Sequence, residues 1–173
     1  MTLLDPALER NRRFAASGAH RDATIMPKLN LFIVTCLDPR VDPAAFFGLE
    51  LGDAAVIRNA GGRVTDDVIH DLSFVSQITE GVIPDGPLFE VAVVHHTQCG
   101  TGALADDEFR SRYARRIDAD ADSLRTVAVL DPDATVRTDV ERLRAARSIS
   151  ERVAISGHVY DVASGEVRTV LSR

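Results

Sequence analysis

Three short apolar runs, LNLFIVT (29–35), AAVIRNA (54–60) and LFEVAVVH (88–95), alternate with segments of helical spacing, and this alternation most constrains the fold. Runs of this length, rich in Val and Ile, read as buried strands. Between the second and third, Thr65 caps a helix with Asp66 and Asp67 in its first turn, where carboxylates complement the helix dipole. Its apolar positions Val68, Ile69, Leu72, Val75 and Ile78 recur at helical spacing. A further helix is expected from Pro6 to Ala16, ended near Gly18. After Cys36 two Asp-Pro pairs bar helix continuation, and a short helix follows at PAAFFGL, with Pro43 in its first turn. Beyond the third run come a polar, helix-prone region, the apolar stretch TVAVL (126–130) and the amphipathic TVRTDVERLRAARS. The tail VAISGHVYDVASGEVRTVL reads as two strands around Ala163-Ser164-Gly165. The expectation is an α/β protein: one domain over residues 1–173, a mainly parallel sheet flanked by helices, and a hairpin-like pair of strands at the end.

Composition narrows the function classes. The formal net charge is −6, which disfavours a nucleic-acid surface built on clustered Lys and Arg. The most basic stretch, FRSRYARR (109–116), lies between acidic segments and reads as a solvated helix face. No run of about 18 apolar residues suits a membrane helix. The N-terminus lacks the pattern of a signal peptide, so a cytoplasmic protein with reduced thiols is expected.

In parallel sheets, ligands bind beyond the carboxyl ends of the strands. Both cysteines fall at such ends: Cys36 closes the first run and Cys99 follows the third within HTQCG. His-x-x-Cys is a zinc-compatible spacing, and Cys36, His96 and Cys99 would leave a fourth position open, as catalytic zinc sites do. The other reading makes the cysteines buried small hydrophobes. His95 and His96 point to opposite faces if the strand runs through them; spacing favours His96 as ligand and leaves His95 as a packed imidazole. Asp38 and Arg40 leave Cys36 on a shared loop, where Arg40 can hold Asp38 away from a metal or simply pair with it. Val41, Phe46 and Phe47 suit either a dry pocket or the core. Arg58 and Arg63 flank the NAGG turn and suit an anion or an ion pair, while His20, His70 and His158 have no ligand-like spacing.

Cys-x-Asp-x-Arg (CLDPR), followed by His-x-x-Cys-Gly (HTQCG), resembles the β-carbonic anhydrases, as do GDAAVIRNAGG and the tail ISGHVYDVASGEV. The resemblance implies zinc held by Cys36, His96 and Cys99, a catalytic dyad of Asp38 and Arg40, and backbone amides near Gly61 and Gly62 for substrate oxygens. It also implies a homodimer or larger homo-oligomer, with residues 1–20 as a helical arm on the partner. The activity implied is zinc-dependent, reversible hydration of carbon dioxide to bicarbonate and a proton. Its rivals are hydrolysis of carbonyl sulfide or carbon disulfide at the same zinc, known in the family's short subgroup, and a non-catalytic site closed by Asp38. The chain departs from the commoner pattern in carrying His95 before His96. It offers no counterpart, before Gln77, of a pocket glutamine found in plant-type members. With no Trp, it also lacks the tryptophan-lined bicarbonate site of some members.

Overall fold

A computed structural model describes residues 2–173. The chain runs α1 (Asp5–Ser17), β1 (Leu31–Cys36), α2 (Pro43–Phe47), β2 (Ala54–Asn59), α3 (Asp66–Val82), β3 (Glu90–His96), α4 (Asp107–Ile117), α5 (Ala121–Arg125), α6 (Pro132–Ala145), β4 (Ala154–Tyr160) and β5 (Val167–Leu171). The strands form one sheet in the order β2-β1-β3-β4-β5. The first four run parallel, and β5 returns antiparallel to β4. The expected parallel sheet with a closing strand pair is therefore present.

Strand parity decides what each face carries. On β3, Val91 and Val93 join Val68 and Leu72 of α3 and Val136, Val140 and Leu143 of α6 in the main core. Ala92 and Val94 point the other way, into a smaller cluster with Ile33, backed by Phe46 and Tyr160. Caps fix where the helices begin: Thr65 accepts the amide of Val68, and Asp131 those of Asp133 and Ala134. Gly18 ends α1 in the left-handed conformation, as expected. Helix α1 buries no side chain; Leu8 and Phe14 on it, and Leu4 at its N-cap, are exposed.

The structure decides several local points and corrects one expectation. The apolar stretch TVAVL adds no strand to the sheet: β3 already has β1 and β4 as neighbours, and the run crosses over the carboxyl end of the sheet. There Val129 packs on Cys36 and Cys99. FRSRYARR is helical, but not a purely solvated face. Arg110 is buried, donating to the carbonyls of Leu104 and Ala105 and pairing with Asp107. Val41 is fully buried, and Phe46 stacks on Tyr160 at 4.6 Å between centroids, so these residues belong to the core.

Candidate metal centre

β1 and β3 are adjacent and parallel, so their carboxyl ends bring Cys36 beside the residues that leave β3. One donor atom each from Cys36, His96 and Cys99 lies within 4.8 Å of the others, and the three could hold a metal ion. The sulfurs stand 4.0 Å apart. Two thiolates about 2.3 Å from a tetrahedral zinc would stand about 3.8 Å apart, so the pair needs almost no rearrangement.

The imidazole of His96 is oriented for the same task. Its Nδ1–H donates to the Thr97 carbonyl at 2.9 Å, which leaves Nε2 with a free lone pair. That Nε2 is buried and has no hydrogen-bond partner. An orphaned buried acceptor is costly, and a cation beside the two thiols would satisfy it. The thiols themselves are coupled. The hydrogen bond from Cys36 holds Cys99 down at about 6, while the same bond and burial push Cys36 up to about 11. This is a donor set ready for a cation.

His95 lies on the opposite face, with Val91 and Val93, and does not join the cluster. Its Nε2–H donates to Asp139 Oδ2 at 3.1 Å, and Nδ1 lies 3.1 Å from the Thr135 hydroxyl. Asp139 is also gripped by Arg63, at 2.7 and 3.0 Å, and accepts the Val64 amide. Arg63 is thus a structural ion-pair partner rather than a free anion site. Arg58 donates to the carbonyls of Cys36 and Asp38 and secures the loop that leaves β1.

Asp38 and Arg40 form a two-pronged pair: Nε to Oδ1 at 3.0 Å and Nη2 to Oδ2 at 2.7 Å. Arg40 Nη2 also reaches the Gln98 carbonyl at 3.1 Å, tying this loop to the segment that carries Cys99. The Arg40 hydrogen bonds outweigh partial burial and hold the Asp38 carboxyl at about 2. Gly61 and Gly62 are buried and left-handed, in a 3₁₀ turn after β2. A Cβ on Gly62 would stand 2.8 Å from the Cys36 amide nitrogen, so only glycine lets this turn close over β1.

A cavity of about 360 Å³ opens at Cys36 and Asp38, beside Gly61. Its apolar wall comes from Leu37, Leu104, Phe109 and Tyr113. None of these four was singled out by spacing, although the pairing of Phe109 and Tyr113 at i, i+4 amid arginines was a usable signal.

The model of the carbonic anhydrase family matches residues 31–167. A β-carbonic anhydrase of Mycobacterium tuberculosis is 34% identical over 98% of this chain and 99% of its own length. The chain belongs to the β-carbonic anhydrase family. A carbonic anhydrase structure from Streptococcus mutans superposes with a TM-score of 0.81 at 36% identity, covering 98% of both chains. A carbon disulfide hydrolase from Acidianus is 29% identical over 80% of this chain and 76% of that protein. Zinc is the metal of β-carbonic anhydrases, and the Cys-His-Cys donor set fits it.

Proposed function

We propose that this protein catalyses the reversible hydration of carbon dioxide to bicarbonate and a proton, with Cys36, His96 and Cys99 as zinc ligands. The observation that carries the reading is the buried, partnerless Nε2 of His96 beside the two thiols. Zinc, when bound, lowers the pKa of a water from about 15.7 toward the value of about 7 known for three-histidine carbonic anhydrases; two thiolates should leave it somewhat higher.

The chain's own groups supply the rest. Asp38, ionised and fixed by Arg40, has lone pairs left to accept a hydrogen bond from the attacking water and orient it. The amides of the Gly61–Gly62 turn would bind the substrate oxygens, a role supported by Gly61 lining the same cavity. The apolar wall of Leu37, Leu104, Phe109 and Tyr113 gives a nonpolar gas a partly dry approach. A permanently closed site is less well supported, because Arg40 binds both oxygens of Asp38 and so competes with a metal for the carboxylate.

The same wall would admit carbonyl sulfide or carbon disulfide, and the likeness to a carbon disulfide hydrolase favours testing them. Parallel assays on the three gases with zinc-loaded protein separate the readings. Fast carbon dioxide hydration is expected; negligible hydration beside fast sulfide release would overturn it.

The same proposal includes a cytoplasmic homodimer with residues 1–20 as an arm on the partner. Helix α1 has 13 residues, none buried, and a helix so short is marginal without packing. Deleting the arm should convert the dimer to monomer in sedimentation.

A further inference from the structure

Thr101 stands two residues beyond Cys99, in the 3₁₀ turn Gly100–Ala105. Its Oγ1 lies 3.2 Å from Cys99 Sγ and accepts the Val129 amide at 3.2 Å. The side chain is also hemmed in, since a Cβ on Gly61 would stand 3.3 Å from Oγ1 and 3.4 Å from Cγ2. With the Val129 N–H occupying a lone pair, the one hydroxyl proton is free to point at sulfur. A thiolate bound to a metal has no proton of its own, so the hydroxyl is then the only possible donor of this pair.

We infer that Thr101 is a positioning residue for the metal centre, donating an O–H···S hydrogen bond to Cys99 that draws charge from the thiolate and fixes the sulfur's direction. The inference rests on Cys99 being a ligand, as proposed above. It also explains the apolar run over the site: the Val129 amide orients the hydroxyl, while the Val129 side chain shields both sulfurs from water. Partners that bind a ligand rather than the metal commonly tune metal sites in this way.

The test is the near-ultraviolet thiolate-to-cobalt charge-transfer band of the cobalt-substituted protein. Thr101→Val keeps the shape and removes the proton, so the thiolate becomes a stronger donor and the band moves to longer wavelength. Thr101→Ser retains the hydroxyl and should leave the band in place. A purely structural role, felt through the unpaired Val129 amide, would lower the melting temperature of Thr101→Val without moving the band. If Thr101→Val does not fold, Thr101→Ala against Thr101→Ser gives the same comparison. Superposed bands in the hydroxyl-bearing and hydroxyl-free proteins would overturn the inference. A wild-type spectrum lacking any thiolate band would instead overturn the ligand assignment beneath it.

Discussion

His95 and Asp139 lie 44 residues apart in the chain and meet in a buried hydrogen bond of 3.1 Å that ties β3 to α6. Arg63 closes on the same carboxylate from the turn that overhangs Cys36, so one side chain joins three elements around the candidate metal centre. Asp139 is 2% exposed and Arg63 13%. Breaking a buried pair by removing one charge costs about 3–5 kcal/mol. Asp139→Asn should therefore lose about 3 kcal/mol in urea unfolding, and a loss below about 1 kcal/mol would contradict this role.

Acid should reveal the same carboxylate. Burial alone would raise its pKa, but the His95 and Arg63 hydrogen bonds outweigh burial and hold it below the usual range. The unfolded chain then takes up a proton first as pH falls, so Asp139 stabilises the fold above about pH 4 and loses that contribution as pH drops below it. Asp139→Asn should show a shallower acid loss of stability than the wild type between about pH 4 and 3.

Metal binding should separate the two neighbouring histidines. His96→Ala removes the partnerless Nε2 and should cost at least about 100-fold in zinc affinity. His95→Asn alters a group on the opposite face and should retain stoichiometric zinc at a lower melting temperature. Chelator competition measures both, and equal loss of metal in the two variants would contradict the assignment.

Gly62 and Gly100 predict opposite responses to a methyl group. At Gly62 the added Cβ meets the Cys36 amide nitrogen at 2.8 Å, on a backbone with φ +66°. Gly62→Ala should cost at least about 2 kcal/mol, from left-handed strain plus the clash. At Gly100 nothing stands within 4 Å, so Gly100→Ala should be nearly neutral in the same unfolding assay.

Arg40→Gln should release Asp38. The carboxyl, now at about 2, would return toward an ordinary value near 4. A loosened carboxylate should cost about 100-fold in kcat/KM, and an acid limb should appear near pH 4 that the wild type lacks. Unchanged activity in Arg40→Gln would remove the pair from the mechanism.

Much of this architecture was legible in the chain. Short apolar runs alternating with capped helices gave a parallel sheet, and the parallel sheet placed both cysteines at one end. Strand parity separated His95 from His96. Less legible were groups whose role depends on contacts distant in sequence. TVAVL has the composition of a strand, but both edges of β3 are already taken, and nothing local in the sequence says so. Arg110 looked solvated because its neighbours are charged, yet its guanidinium is held by carbonyls of a 3₁₀ turn. Thr101 carried no signal at all, because its partners, Cys99 and the Val129 amide, meet only once the loop has crossed the sheet.

The most direct measurement of the central claim is stopped-flow carbon dioxide hydration from pH 6.5 to 9, at quantified zinc content, for wild type and His96→Ala. The account predicts a wild-type rate that scales with zinc and rises with pH, and a His96→Ala rate at the uncatalysed background. A fully zinc-loaded wild type with only background hydration would contradict it.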